Sequence, residues 1–469
     1  MLAGTISVRL QDIISLPTRP DLRVLAIATA SSLLTSLLFG LFPAYHASRT
    51  DVRGMLIESG GKAIAGPASR WPARALVAAE VALGLVLLVG AGLLVRTFAY
   101  LTQLRPGFDA TQVITGTASL QDARYQTPLK VNDLFTRSLT GIQRAPGVER
   151  AAIALTLPYE RALNFGWRFD GDARVREESI SLTYVTAGYF STLRIPVRRG
   201  RVFTDHDTAA SPSVVVVNDA FVRRYTPEID PIGRRVLWGA GRSGVEIVGV
   251  VGNIQQQVPF GNLGPVTVFP AAYVPASQFG DADFTLAHTW FDPSWIVRTT
   301  GVSPSIIDTM QHALREVDPQ LPFNKFRTLD DVRGDAVMVA RIEALLLATF
   351  AAIALLLCAL GVYGLVAQSV VERRRELGVR IALGATSATV LRTAITSGLA
   401  MAFVGAVLGL VMAAGVARVM QGLVFGVAVR DPLTFAGATA LVILTACVAS
   451  VIPAVRTLHL NVATVLNAS

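Results

Sequence analysis

Residues 370–386, VVERRRELGVRIALGAT, decide the fold. The block lies between two apolar runs, 344–367 and 394–416, each more than twenty residues long. At about 1.5 Å per residue in a helix, either run can cross a bilayer core of about 30 Å. Arg373, Arg374, Arg375 and Arg380 cannot rest in hydrocarbon, so the block lies at a membrane surface. Short loops rich in Lys and Arg face the cytoplasm, which fixes the side. Anchoring of topology needs basic residues alone. Here Glu372 and Glu376 add acids, Leu377, Val379, Ile381, Ala382 and Leu383 add an apolar side, and Gly384 reads as a stop. That mixture suits a short amphipathic helix along the inner membrane face, serving as a docking surface.

Working outward, further spans read at 24–45, 75–95 and 433–455, making five. Segment 46–74, with Arg49, Arg53, Lys62, Arg70 and Arg74, is also cytoplasmic. Spans two and three then place residues 105–335 on the opposite side, and the tail returns inside. Gly405 and Gly409 give the fourth span a spacing that permits close helix approach, although small residues are common in spans. The composition agrees: of 469 residues 52% are hydrophobic and 16% charged. The net charge of +9 is explained by arginines flanking spans, and no groove-reading motif accompanies it, which excludes nucleic acid as the partner. Cys358 and Cys447 both fall in spans and form no disulfide framework or zinc spacing. The first residues lack the pattern of a cleaved signal peptide.

The long central region reads as a soluble unit. Strands are expected at 113–120, 148–157, 213–221, 245–254 and 294–301, from β-branched enrichment between turn residues. Helices opened by proline are expected at 128–144 and 304–317. The fold class is therefore a multi-pass α-helical membrane protein with an inserted extracytoplasmic α+β domain and five transmembrane helices.

Span one looks like a second copy of span five. Pro43-Ala44 falls on Pro453-Ala454, and in the same alignment Asp21 falls on Asp431, Val52 on Val462 and Leu56 on Leu466. The chain then begins partway through a first repeat, through a misplaced start, a split gene or a naturally shortened form.

Catalytic motifs are missing. Gly60-Gly61-Lys62 lacks the Ser or Thr of a phosphate loop, and no nucleophile elbow or HExxH occurs. Asp205-His206-Asp207 reads as a solvated turn rather than a metal cluster, so no metal is expected. The second span carries one acid, Glu80. It is either a functional intramembrane carboxylate or, as favoured, a residue near the span start reaching the interface beside Arg70 and Arg74.

ERRRELGVRIALGA resembles the loop after the first span of the permease module in MacB/FtsX-type ABC transporter permeases, through Glu376, Gly378, Arg380, Ala382, Leu383, Gly384 and Ala385. The closing IPAVRTLHLNVATVL resembles the family's end pattern, with Asn461 and Val462 where aspartate and proline are usual. Residues 213–238 and 245–254 look like a MacB-type periplasmic core domain. The resemblance extends to long permeases with two fused units. It implies a remnant of a first permease repeat at 1–60, a cytoplasmic linker at 61–74 and a transmembrane helix at 75–104. An extracytoplasmic core domain at 105–338 and an FtsX-like domain with three spans at 339–469 would follow.

The same resemblance implies a subunit without its own ATPase site or bound cofactor, in a bacterial inner membrane. Its partner would be a cytoplasmic ABC ATPase dimer carrying ATP and Mg. That dimer would dock on Glu372, Arg373, Arg374, Arg375, Glu376, Gly378, Arg380, Gly384 and Ala385. A second permease unit or a homodimer, membrane lipids and periplasmic adaptor proteins are the other implied partners. The implied activity is efflux of a hydrophobic or peptide-like substrate; the alternative is a non-transporting regulator that signals to periplasmic enzymes or senses envelope stress.

Overall fold

The computed structural model describes residues 71–171, 176–238, 244–257, 266–301, 305–372 and 387–458, together with 25, 26, 29, 30, 32 and 33. The chain divides into two units, 1–72 and 73–469. In the first, the six described residues are helical; the first span otherwise lies outside the described residues. Everything below concerns the second.

Helix α1, Trp71–Gln103, runs on well past the apolar run that announced it. The extracytoplasmic domain then follows as β1 (Val113–Thr117), α2 (Pro128–Gln143), β2 (Val148–Ala154), β3 (Leu163–Phe169), β4 (Arg176–Val185), α3 (Tyr189–Thr192), β5 (Val197–Gly200) and β6 (Val214–Asn218). It continues with α4 (Asp219–Tyr225), β7 (Arg235–Trp238), β8 (Val245–Val251), β9 (Gln255–Gln256), β10 (Thr267–Val268), β11 (Ala271–Pro275), α5 (Asp281–Trp290), β12 (Ser294–Thr299), α6 (Ile306–Val317) and β13 (Lys325–Thr328). The remaining helices are α7 (Leu329–Glu372), α8 (Ser387–Val419) and α9 (Pro432–Leu458).

The five expected strands and both expected helices are present, each strand ending two or three residues before its expected bound and the second helix beginning at Ile306. The strand expected over 213–221 ends at Asn218, whose side chain accepts from the Phe221 N–H and so caps α4. Strands β11, β6, β8, β7, β3 and β4 pair in that order, and β4 returns to β11 through a parallel ladder, so six strands close on themselves. The sheet continues from β4 through β2, β12 and β1 to β13.

Two apolar cores result. One gathers Phe135, Trp167, Tyr184, Phe221 and Trp295. The other holds Phe108, Tyr189, Phe190 and Tyr273 together with Leu329 and Val332, the first turn of α7. Thus α7 begins inside the domain, within the interval assigned to it from the sequence.

Four helices among the described residues are long and apolar enough to cross a membrane: Ala73–Gln103, Leu329–Val371, Gly398–Gly422 and Pro432–Pro453. They pack around α1. In its most apolar window 56% is buried, against 17–28% in the others, whose outward faces are left for lipid or partners. The shared core is Val81, Leu85 and Leu93 with Val362 and Val366 of α7, Ala406 and Ala413 of α8, and Val442 of α9.

Gly405 and Gly409 do permit close approach: a Cβ on either would meet the Ala78 or Ala82 carbonyl of α1 within 3 Å.

Candidate functional site

The docking block expected from the sequence falls largely outside the described residues: Arg373, Arg374, Arg375, Glu376, Gly378, Arg380, Gly384 and Ala385 all do. Glu372 is the last residue of α7. What the structure does describe is the path between that block and the extracytoplasmic domain.

The path begins with α7. Its 44 residues, at about 1.5 Å each, measure roughly 66 Å, about twice a bilayer core. A helix of that length starts reliably only if its first turn is satisfied. Thr328 and Asp331 supply this reciprocally: Asp331 N–H donates to Thr328 Oγ1, and its carboxylate accepts the Thr328 N–H, both at 3.1 Å. Below the cap, Leu329 and Val332 are buried in the second core. Just before it, the Arg327 guanidinium donates to Glu160 at 2.6 Å and lies 3.5 Å from Asp335. The helix is therefore built into the domain from its first turn.

The other connection is unlike it. α1 stops at Gln103, and a non-helical segment, 104–112, leads to β1. Gly107 has φ +85°, and a Cβ there would lie 1.7 Å from the Asn253 carbonyl oxygen, so only glycine passes. Phe108 then enters the second core, edge-on to Tyr159 at 5.5 Å. Beyond it stands Asp109, whose N–H donates to Leu193 O at 2.9 Å. Arg298, in β12 and only 1% exposed, reaches across: its Nε donates to Thr192 O at 2.6 Å. Its Nη1 donates to Thr111 O at 2.9 Å and to the Asp109 carboxylate at 3.3 Å, and its Nη2 donates to Asp109 O at 2.6 Å.

Burial lowers the proton affinity of this guanidinium and Asp109 opposes that. Burial likewise raises the Asp109 carboxyl, but hydrogen bonds from Thr111, the charge of Arg298 and a bond from Arg194 together hold it below the usual carboxylate range. The two flanking helices are also tied directly, since Arg333 of α7 donates to Thr102 O of α1.

Within the membrane, Glu80 does not reach for the interface as expected. It is half-buried where α1 crosses α7, and its carboxylate lies against Gly361: a Cβ there would be 2.3 Å from Oε2. One turn further on, Gly84 faces Cys358, whose Sγ donates to Glu80 O at 3.2 Å. Small residues on both helices let the backbones close and leave the acid at the crossing. At the outer ends of the spans, Arg96 of α1 pairs with Asp431, which also caps α9 by accepting from Thr434 N–H at 2.7 Å.

In the Asp205-His206-Asp207 turn the first two residues are exposed, as the solvated reading has it, and only Asp207 departs from it. Asp207 is buried, bonded by both ends of Arg201 at 2.8 and 2.9 Å and by Thr204 N–H, so the turn is closed by an internal ion pair. Among the described residues no group of three or more His, Cys, Asp or Glu is arranged to hold a metal. A polar cleft of about 740 Å³ opens between α2 and this turn. No local sequence signal marks Arg298, Asp109 or Arg96, whereas Thr328-x-x-Asp331 is a capping pattern visible in the sequence.

The chain matches the MacB-like periplasmic core domain family over residues 75–315 and the FtsX-like permease C-terminal family over 348–462. It is 24% identical over 257 residues to the uncharacterized ABC transporter permease YknZ of Bacillus subtilis, covering 54% of this chain and 61% of that one. It is 26% identical over 330 residues to the macrolide export ATP-binding/permease protein MacB 2 of Aeromonas hydrophila, covering 67% and 49%. The chain thus spans about half to three-fifths of the length of these curated relatives. Among solved structures, the periplasmic region of MacB from Actinobacillus actinomycetemcomitans aligns at 14% identity and TM-score 0.34, over 50% of this chain and 97% of that one. The extracellular domain of YknZ aligns at 17% identity and TM-score 0.30, over 45% and 98%.

Proposed function

Because the chain belongs to the ABC transporter permeases that join a MacB-like periplasmic core domain to an FtsX-like permease domain, we propose that a separate cytoplasmic ATPase drives its extracytoplasmic domain through α1 and α7. The single observation that carries this reading is the continuity of α7. One helix has its first turn in the domain's second core and its last residue, Glu372, at the head of the charged block. A rod so placed passes a tilt at one end to the other without a tunnel for substrate between the spans. The ATPase, with its ATP and Mg, supplies the energy, and its two nucleotide states must bind the block differently, since equal binding shifts nothing. In this reading hydrolysis belongs to the ATPase and not to this chain. It would sit in the bacterial inner membrane, pair with a second permease unit or a copy of itself, and serve efflux of a hydrophobic or peptide-like substrate.

The test is made on the block. Glu376→Arg reverses one charge at the expected contact and should abolish nucleotide-dependent co-purification with the cognate ATPase. Undiminished co-purification would sink the docking assignment. In lipid, stimulation of that ATPase by candidate hydrophobic substrates supports efflux; stimulation only by a periplasmic protein would replace it with signalling.

A further inference from the structure

The two connections between membrane and domain differ in kind, and the difference assigns a role to one buried side chain. α7 needs no joint, because helix and core are continuous. α1 ends at Gln103, and the segment after it has no regular structure to stiffen it. A free segment of that length would absorb a displacement of α1 instead of passing it on. We infer that Arg298 is the positioning residue that locks this segment, so that the outer end of α1 and the extracytoplasmic domain move as one body.

The geometry is specific to that task. Three of the four bonds made by the guanidinium go to the segment: the Thr111 carbonyl, the Asp109 carbonyl and the Asp109 carboxylate. The fourth, to Thr192 O, fixes the guanidinium to the end of α3. β12 is held between β2 and β1 by paired ladders, so the base of the Arg298 side chain is rigid. Backbone bonds seal the same segment on both sides: Asp109 N–H donates to Leu193 O, and Thr299 N–H to Gln112 O, both at 2.9 Å.

A buried charge is a poor way to gain stability, since an apolar residue of similar volume often does as well or better. What a planar fork adds is a fixed orientation of the groups it grips. Asp109 is itself shared, because Arg194 reaches its carboxylate at 2.8 Å from the open side. Removing Arg298 therefore leaves the acid paired with Arg194 and the Asp109 N–H on Leu193 O, while the Asp109 and Thr111 carbonyls lose their donor.

The consequence for transport or signalling rests on the proposed function, but the measurement needs only this chain. In the full-length protein, with Cys358 and Cys447 changed to alanine, spin labels are placed at Gln103→Cys on α1, Leu129→Cys on α2 and Val339→Cys on α7. All three positions are exposed. Distance distributions for the pairs 103–129 and 339–129 are recorded in nanodiscs without any ATPase.

With Arg298→Met the 103–129 distribution should broaden, because two carbonyls of the segment lose their donor, while the 339–129 distribution keeps its width. Unchanged width in the first pair, or equal broadening in both, overturns the assignment; the latter would make Arg298 an ordinary stabilising residue. If Arg298→Met fails to fold, Arg298→Lys, which keeps the charge and loses the fork, carries the same comparison with the same two outcomes. Failure of ATPase docking at the 370–386 block would leave these distributions as they are, so the two ideas fall separately.

Discussion

Gly405 and Gly409 bring α8 so near α1 that one added methyl group must push the helices apart. A Cβ on Gly405 would stand 2.6 Å from Ala78 O and 2.7 Å from Val81 Cβ; on Gly409, 2.9 Å from Ala82 O and 3.0 Å from Leu85 Cβ. The opposing atoms are backbone or Cβ, which no rotamer change can move. Restoring the shortest of these contacts to the 3.4 Å at which ordinary packing begins requires α8 to retreat by about 0.8 Å. A gap of that size forfeits a quarter to a half of the dispersion energy along the seam. Gly405→Ala should therefore destabilise the bundle by about 1–3 kcal/mol. Gly415, ten residues on in the same helix, supplies the control because a Cβ there meets nothing within 4 Å. Gly415→Ala should stabilise by up to about 1 kcal/mol, the usual helix preference for alanine over glycine. Unfolding by sodium dodecyl sulfate in bicelles, followed by far-ultraviolet circular dichroism of the long helices, reads both shifts against the native chain. If Gly405→Ala moves the midpoint in the same direction and by the same amount as Gly415→Ala, the close approach of α1 and α8 is refuted.

Two further outcomes follow from charged groups outside the spans. His288 is 4% exposed, shares a hydrogen bond with Tyr184 at 2.7 Å and lies between the rings of Tyr184 and Phe284, so burial pushes its pKa down to about 4. The unfolded chain takes up this proton near pH 6.5 and the folded chain does not. Stability is therefore complete above pH 6.5 and falls as pH drops towards 4, by up to about 3 kcal/mol. His288→Gln should flatten that part of the melting-midpoint profile, and profiles that stay parallel between pH 7 and 4.5 would count against it. At the outer membrane face, Asp431→Asn keeps an acceptor for the Thr434 N–H and loses only the half-exposed pair with Arg96, so it should cost less than about 1 kcal/mol. Asp431→Ala also loses the helix cap and should cost about 1–2 kcal/mol in the same unfolding assay.

Much of this architecture is legible in the sequence because its signals are local. Spans announce themselves as long apolar runs, and β1, β2, β6, β8 and β12 as β-branched stretches. What escapes is set by pairing across distance. LNFGWRF and REESISLTYV, the sequences of β3 and β4, carry glycine and charge like ordinary loop, and become strands through each other and through β11, far downstream. The start of α7 is hidden for a different reason: LDDVRGDAVMVARIE is polar enough to read as domain surface, although Thr328 and Asp331 mark its cap. Arg298 is the most instructive case. In SWIVRT an arginine at the end of an alternating pattern reads as the solvent face of a half-buried strand. Both faces of β12 are in fact covered: Trp295 and Val297 enter one core and Ile296 the other. Arg298 has the parity of Ile296, so it shares the side of β12 that faces the second core, into which Phe108 and the first turn of α7 are also packed. Its carboxylate partner stands 189 residues earlier, in a segment whose sequence, PGFDATQ, shows only turn character. A cation in that position has a purpose only once both connections to the membrane are seen to end in the same core, one entering as a helix and the other as an irregular segment gripped by Arg298.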